Sequence, residues 1–246
     1  MKPIASVVAI LIVALVVTAV NSAQPAAVVT DSMLQAAAPA DWKTWRRSYD
    51  LSGFSPLNRV NRRNVRQLRE VWSRPMMPGL QEAEPAVFDG IMYLANPGDV
   101  IQAIKADDGT LVWEYRRQLP PDLRNYFPVP DIRRNLAIYG RFLISATGDD
   151  YVVALDLQTG KLAWETRVLD YRKGGQQTSG PIVADGRVIS GRGCEPEGGP
   201  DACVITAHDP MTGRELWRTR TIPAPGDPGD ESWGTVPYEQ RLHVGT

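Results

Sequence analysis

The sequence lacks an excess of either charge and several familiar catalytic motifs, and each absence excludes a class of function. It carries 27 Lys+Arg against 28 Asp+Glu, so it offers no basic field for nucleic acid or an acidic polymer. It has no phosphate-binding glycine loop, no nucleophile elbow and no Cys-x-x-Cys-His haem motif, so NAD chemistry and serine hydrolysis have no support. Long helical patterns are few, while 7 Trp, 20 Pro and 21 Gly are present. This balance predicts an all-β chain with frequent turns.

The N-terminus has the composition of an export signal. Lys2 provides a short positive region, residues 4–20 are almost entirely apolar, and small residues follow at 21–23. We expect residues 1–23 to be a signal peptide that is removed. The alternative is a retained membrane anchor, for which a 17-residue apolar run is at the lower limit of length.

The next segment, residues 24–40, is rich in Ala, Pro and Val and has no periodicity. It is predicted to be a flexible lead-in, with the folded part beginning near Asp41.

The two cysteines, Cys194 and Cys203, lie in a Gly/Pro-rich stretch. Export would place them in an oxidising compartment, which favours a local disulfide between them. The alternative is a metal site, for which His208 is the nearest further ligand.

Three segments resemble one another, and each contains a short turn followed by a tryptophan. They follow the pattern Ala-x-Asp-x-x-Thr-Gly-x-x-x-Trp or a close variant, and each comes after an apolar strand. The segments cover residues 103–113, 154–164 and 207–217. The Asp is expected to cap its own backbone, the Gly to adopt a positive φ and the Trp to pack on the neighbouring unit. The pattern predicts one β-hairpin in each segment.

The repeat length identifies the larger unit. The tryptophans that end the hairpins, Trp113, Trp164 and Trp217, are 51 and 53 residues apart. Another pair of short apolar strands precedes each hairpin, and a repeat of about 50 residues with four strands predicts a β-propeller blade. We expect blades over residues 79–125, 126–176 and 177–232.

Three blades cannot close a ring, and open sheet edges invite aggregation. The sequence therefore predicts that residues 41–246 form the N-terminal part of a larger propeller. Residues 41–78, with an apolar run ending at Trp72, are expected to supply the closing strand of the last blade.

The repeated pattern resembles the tryptophan-docking motif of quinoproteins, which use pyrroloquinoline quinone (PQQ). Residues 45–49 (Trp-Arg-Arg-Ser-Tyr), 54–57 (Phe-Ser-Pro-Leu) and 64–65 (Asn-Val) resemble the first segment of the methanol and ethanol dehydrogenases of that family. Residues 228–234 (Pro-Gly-Asp-Glu-Ser-Trp-Gly) resemble the stretch before their fourth blade. The resemblance covers nearly all of the mature length and implies an eight-bladed ring in the full protein.

The resemblance also implies a chemistry. Such enzymes pass a hydride from an alcohol to PQQ, and a metal, Ca²⁺ or a lanthanide, acts as Lewis acid. The resemblance further implies a periplasmic protein, which is free of the membrane after the signal peptide is cleaved. It implies a small alcohol as the substrate and a protein such as a cytochrome c as the electron acceptor.

Three residues match family positions that contact PQQ. Glu82 and Thr178 match hydrogen-bonding positions, and Arg134 matches the arginine that meets the PQQ carboxylates, a role that suits its forked guanidinium. Arg133 beside it leaves that assignment ambiguous by one residue. The alternatives are a solvated loop carboxylate for Glu82 and an ordinary turn residue for Thr178.

The stretch Gly193-Cys194-Glu195 resembles the family's Gly-Ala-Glu. The resemblance places Gly193 and Cys194 near the cofactor and makes Glu195 a metal ligand, since carboxylate oxygens suit hard cations. The alternative is that Glu195 and Glu197 merely belong to a disulfide loop.

Two departures from the family concern the site. Adjacent cysteines that stack on PQQ are absent here, where residues 129–130 are Val-Pro. The family's catalytic Asp, metal-ligating Asn and PQQ-stacking Trp fall beyond Thr246, so the catalytic base is unknown. Asp131, Asp209 and Asp230 have the turn contexts of structural residues.

Two other functions compete with the dehydrogenase. Related propellers without cofactor serve as scaffolds in envelope assembly, and a truncated, inactive remnant would share the same ancestry. Glu82, Arg134 and Glu195 favour the enzyme, because a scaffold needs no buried Glu and Arg near the axis.

Overall fold

The computed structural model describes residues 28–130, 132–194 and 202–241. The predicted signal peptide, residues 1–23, lies outside this part of the chain. No helix within the described ranges is long and apolar enough to cross a membrane.

Twelve strands form three four-stranded antiparallel sheets, each built in chain order. The first sheet contains β1 (Ala86–Phe88), β2 (Ile91–Asn96), β3 (Val100–Lys105) and β4 (Leu111–Arg116). The second contains β5 (Ala137–Tyr139), β6 (Phe142–Ala146), β7 (Tyr151–Asp156) and β8 (Leu162–Arg167). The third contains β10 (Ile182–Ala184), β11 (Arg187–Gly191), β13 (Val204–His208) and β14 (Glu215–Arg220). A separate two-stranded ladder pairs β9 (Gly175–Gln176) with β12 (Gly193–Cys194).

The helices are short. The α-helices are α1 (Asp31–Gln35) and α2 (Tyr238–Arg241), and single 3-10 turns cover Val65–Gln67, Leu123–Asn125, Tyr171–Lys173 and Asp230–Trp233. The prediction of an all-β propeller with about three blades is confirmed. The strands of each sheet lie within one of the three predicted blade segments.

Burial follows the position of a strand within its blade. In the second blade every residue of β6 is buried, and so is β7 except for Tyr151. The outer strand β8 alternates exposed and half-buried residues. The central strands are buried on both faces because a blade lies on either side of this sheet.

The hairpin turns explain the repeated motif. In the second blade Asp156 Oδ1 accepts hydrogen bonds from the backbone N–H groups of Gln158 and Thr159, at 3.1 and 3.0 Å. Gly160 has φ +67° and donates its N–H to the Asp156 carbonyl. Asp209 makes the same bonds in the third blade. In the first blade Lys105 occupies the Asp position, and Asp108 caps Thr110 instead.

Trp113 and Trp164 each pack on the hairpin of the following blade. The Trp113 indole N–H donates to the Leu157 carbonyl at 2.9 Å, and that of Trp164 to the Pro210 carbonyl at 3.1 Å. The rings lie against Gly160 and Gly213, where a side chain would collide with them. Glycine is therefore required at this position by its φ and by the indole.

Trp72 occupies the same place on the first blade. Its indole N–H donates to the Ala106 carbonyl at 3.1 Å, and its ring lies against Gly109. No strand occurs among residues 41–78, all of which the structure describes, apart from an isolated bridge between Trp42 and Val87. The assignment of this segment to the last blade stays a prediction, and the contact of Trp72 supports it.

The prediction of a flexible lead-in over residues 24–40 is wrong for residues 28–40. Val29 forms a β-bridge with Gly140, and Leu34 in α1 is buried. The Asp31 carboxylate accepts hydrogen bonds from the Tyr139 hydroxyl and the Gly186 N–H, both at 3.0 Å. The segment is ordered by contacts with the second and third blades, which its composition does not reveal.

Candidate functional site

Three of the predicted site residues meet at one place. The Arg134 guanidinium forms an ion pair with Glu82 at 2.8 Å and donates to the Thr178 hydroxyl at 2.5 Å. The Arg134 and Glu82 side chains are both half-exposed, at 42% and 44%. The pair is therefore open to a ligand rather than sealed in the core.

The propeller topology explains this convergence. Glu82, Arg134 and Thr178 each lie three or four residues before the first strand of their blade, respectively β1, β5 and β10. Strands β5 and β10 contact one another. Equivalent positions of successive blades are brought together around the axis of a propeller.

Backbone and amide contacts fix the three segments relative to each other. The Glu84 N–H donates to the Arg134 carbonyl at 2.8 Å. Asn135 donates to the Pro181 carbonyl and accepts from the Gly180 N–H, both at 2.9 Å. A Cβ at Gly180 would lie 1.7 Å from the Asn135 carbonyl oxygen, so only glycine permits this approach. Sequence reasoning missed Asn135 and Gly180.

Two further predicted site residues, Gly193 and Cys194, lie in the third blade, and Gly193 lies along the same cavity as Thr178. Gly193 and Cys194 in β12 pair with Gln176 and Gly175 in β9. A cavity of about 420 Å³ lies here, and Thr178 and Gly193 both line it. Its remaining walls include three isoleucines, Ile182, Ile189 and Ile205. The isoleucines share the face of the third sheet that carries Trp217, and the equivalent Trp113 and Trp164 turn this face toward the next blade.

The structure separates the two adjacent arginines. Arg133 is 3% exposed, and its guanidinium is held by both carboxylate oxygens of Asp99, at 2.5 and 3.0 Å. Arg134 points the other way, because successive side chains of extended backbone alternate in direction. Arg134 is therefore the arginine available to a ligand.

Buried ion pairs join the blades behind this surface. Asp99 in the turn after β2 binds Arg133, and Asp150 in the turn after β6 lies 3.2 Å from Arg192 with both side chains fully buried. Burial raises the pKa of Asp99, and it raises the pKa of Asp150 to about 6. Burial lowers the pKa of Arg192. A third pair joins Arg117 to Asp149, at 2.6 and 2.8 Å.

These ion pairs were not predicted. A signal does exist, because Asp99 and Asp150 occupy the equivalent turn of two blades and both have positive φ. Aspartate tolerates this conformation better than most residues.

The remaining predictions concern the metal and the disulfide. Glu195 lies outside the described residues, and within the described ranges no group of three His, Cys, Asp or Glu could hold a metal ion. Cys203 is buried and disulfide-bonded. The side chain of Cys194 is outside the described part, so the pairing of the two residues stays a prediction.

His208 is not free to act as a ligand. Its two ring nitrogens lie 3.1 Å from the Gly213 carbonyl and 3.0 Å from the Thr206 hydroxyl. Asp209 and Asp230 have structural partners. Asp209 caps a turn, and Asp230 binds Arg241. Asp131 lies outside the described residues.

The hydrogen-bonding groups of Arg134 and Thr178 define the kind of ligand that the site can hold. Arg134 offers a forked cation that matches a carboxylate, and Thr178 offers a hydroxyl. A molecule that carries a carboxylate fits these two groups.

The chain is similar to known proteins over most of its length. Residues 42–241 match the family model described as "PQQ: Glucose/ethanol/alcohol dehydrogenase, beta-propeller domain". The quinohemoprotein alcohol dehydrogenase ADH-IIG of Pseudomonas putida is 34% identical over 77% of this chain. The 1-butanol dehydrogenase (cytochrome c) of Thauera butanivorans is 32% identical over 82%.

A solved structure shows the same fold. The quinohemoprotein alcohol dehydrogenase ADHIIG from Pseudomonas putida HK5 superposes with a TM-score of 0.72, at 30% identity over 80% of this chain. The chain spans only 26% and 28% of the length of the two curated relatives and 29% of that structure.

Proposed function

Because the chain belongs to the PQQ-dependent glucose/ethanol/alcohol dehydrogenase β-propeller family, we propose that it serves a periplasmic alcohol dehydrogenase as part of the PQQ site. Relatives that share about a third of its sequence are named alcohol dehydrogenases. The observation that carries the proposal is the meeting of Glu82, Arg134 and Thr178 from three successive blades.

The residues of this chain have distinct roles in the proposed site. The Arg134 guanidinium binds a carboxylate of PQQ, Glu82 holds the guanidinium in place, and the Thr178 hydroxyl donates or accepts a further hydrogen bond. Gly193 and Cys194 lie beside the cofactor, with Gly193 leaving room for a flat ring. When bound, PQQ supplies the acceptor for the hydride of an alcohol.

A metal ion belongs to the same proposal. Glu195 provides a carboxylate oxygen for Ca²⁺ or a lanthanide, which acts as Lewis acid in the loaded site. The substrate is a small alcohol, and the electrons pass to an acceptor such as a cytochrome c. A disulfide between Cys194 and Cys203 closes the loop that carries Glu195, and peptide mapping under non-reducing conditions tests it.

Binding of PQQ to the complete propeller, of which we propose this chain is a part, tests the proposal. Arg134→Gln removes a charge-assisted hydrogen bond, which is worth about 1.5–3 kcal/mol, so we expect the affinity for PQQ to fall roughly 10- to 100-fold. Equilibrium dialysis in the presence of Ca²⁺ or La³⁺ measures it. Glu195→Gln should weaken PQQ binding only when the metal is present, whereas Glu197→Gln in the same loop should not.

Arg172→Gln is the matched control for Arg134. Arg172 is also half-exposed and pairs with a carboxylate, Asp122 at 2.8 Å, away from the site. Equal effects of the two arginine variants would remove Arg134 from the site. A wild-type protein that binds no PQQ would favour the scaffold alternative.

A further inference from the structure

Three of the proposed cofactor contacts are each preceded in the chain by a buried polar residue. Arg134 follows Arg133, Thr178 follows Gln177, and Gly193 follows Arg192. The three buried residues are only 2–4% exposed. Polar side chains of this size are rarely buried so completely, and they require partners inside the protein.

The partners of these residues are one another. The Arg133 guanidinium donates to the Gln177 carbonyl at 2.9 Å. The Gln177 side-chain amide donates to the Ser190 hydroxyl at 2.9 Å, and the Arg192 guanidinium donates to the same hydroxyl at 2.9 Å. Gln177 is therefore the central member, bonded through its backbone on one side and its side chain on the other.

Two aspartates anchor the ends of this network. Asp99 of the first blade binds Arg133 and also accepts a hydrogen bond from the Gly148 N–H at 2.7 Å. Asp150 of the second blade pairs with Arg192 of the third. The network thus runs through all three blades, and its central member Gln177 also lines the cavity beside Thr178 and Gly193.

We propose that Gln177 is a positioning residue for the cofactor site. This inference rests on the proposed function and adds to it a residue that orients the proposed cofactor contacts. Gln177 ties the segment that carries Arg134 to the strand that leads into Gly193. Because neighbouring side chains of extended backbone alternate in direction, fixing the buried residue sets the direction of the next one. The hydrogen bonds of this network restrain the buried side chains, so it holds the three contacts in one geometry before the ligand arrives.

Gln177→Met tests the role, since it keeps the length of the side chain and removes its amide. We expect the affinity for PQQ to fall about tenfold, a typical loss when an outer-layer partner is removed. Gln102→Met is the matched control: Gln102 is equally buried and donates to Glu114 at 2.8 Å, in the first blade away from the site. We expect both variants to lower the melting temperature and only Gln177→Met to weaken PQQ binding.

Ser190→Ala provides a second variant, because it removes the acceptor that Gln177 and Arg192 share. It should weaken PQQ binding by a similar factor, and the double variant should be no weaker than either single one, as expected for members of one network. Without PQQ, both single variants should speed hydrogen exchange in residues 177–178 and 192–193.

The outcomes separate the two proposals. A complete wild-type propeller that fails to bind PQQ would overturn the proposed function. Wild-type binding that remains unchanged in both Gln177→Met and Ser190→Ala would overturn the positioning role alone, and so would an equal loss in Gln102→Met.

Discussion

At the scale of single residues, burial decides what a charge does. Arg133 and Arg134 have the same side chain and adjacent positions, yet one is sealed against Asp99 and the other is half-exposed. Asp149 and Asp150 are likewise adjacent and bind different blades. Asp149 holds Arg117 of the first blade, and Asp150 lies against Arg192 of the third. These two adjacent aspartates therefore connect three blades.

The effect of burial on a single charge can be tested at Asp150 through the pH dependence of stability. Burial raises its pKa to about 6, Arg192 and Arg133 oppose the rise, and Asp149 adds to it. In the unfolded chain an aspartate has a pKa of about 4. Between these values the folded protein holds a proton that the unfolded chain has released. The stability that this proton contributes is therefore full below pH 4 and is lost as the pH rises through 6.

Asp150→Asn cannot titrate. We expect the free energy of unfolding of the wild type, relative to this variant, to decrease between pH 4 and pH 7. Urea denaturation across that range measures the difference. Asp209→Asn should show no such decrease over this range, because burial is outweighed by hydrogen bonds from Met211 and Thr212, which lower the pKa of Asp209, so its contribution varies only below about pH 4. A difference that does not vary with pH for Asp150→Asn would contradict the expectation.

At the scale of elements, the joint between two blades is a tryptophan against a glycine. The joint occurs three times, from Trp72, Trp113 and Trp164, each with an indole N–H bonded to the hairpin of the next blade. The indole combines a large apolar face with one hydrogen bond, so it fixes both the separation and the register of adjacent sheets.

Gly160→Ala tests the joint. A Cβ there would lie 2.5 Å from the Trp113 ring at a φ of +67°. Gly90 has a similar φ of +74° but nothing within 4 Å, so Gly90→Ala isolates the conformational cost of about 1–2 kcal/mol. We expect Gly160→Ala to lose roughly a further 1–3 kcal/mol through overpacking. Chemical denaturation measures the free energy of unfolding of both variants. Equal losses would show that the Trp113 indole moves aside without an energetic penalty.

At the scale of the whole molecule, the first described segment joins two blades. Residues 28–36 bind the second blade through Val29 and Gly140, and Asp31 links Tyr139 of the second blade to Gly186 of the third. The segment crosses the outside of the structure, whereas the Asp–Arg pairs join the same blades from within.

Leu34→Ala measures what this segment contributes. Leu34 is 1% exposed and belongs to the main hydrophobic core, so its truncation should lower the free energy of unfolding by about 2–4 kcal/mol. Val28→Ala in the same segment should change it little, because Val28 is 56% exposed. A negligible effect of Leu34→Ala would mean that the segment rests on the blades without stabilising them.

The blade could be predicted from the sequence alone, because the chemistry of its turn is local. An aspartate that caps its own backbone, a glycine at positive φ and a tryptophan four residues later act over a dozen residues. Because this pattern recurs after about 50 residues, it is enough to identify the blade as the repeating unit and to count the blades. The resemblance to a family then indicated Glu82, Arg134 and Thr178 before any contact between them was visible.

Only the tertiary structure decided how these residues meet. Whether Arg133 or Arg134 faces a ligand depends on which of them finds Asp99 of another blade, and Gln177 shows its position only through bonds to Arg133 and Ser190. The order of residues 28–40 likewise comes from surfaces that blades two and three create together. All of these contacts join residues far apart in the chain, and they exist only once the blades have packed, so no local pattern encodes them.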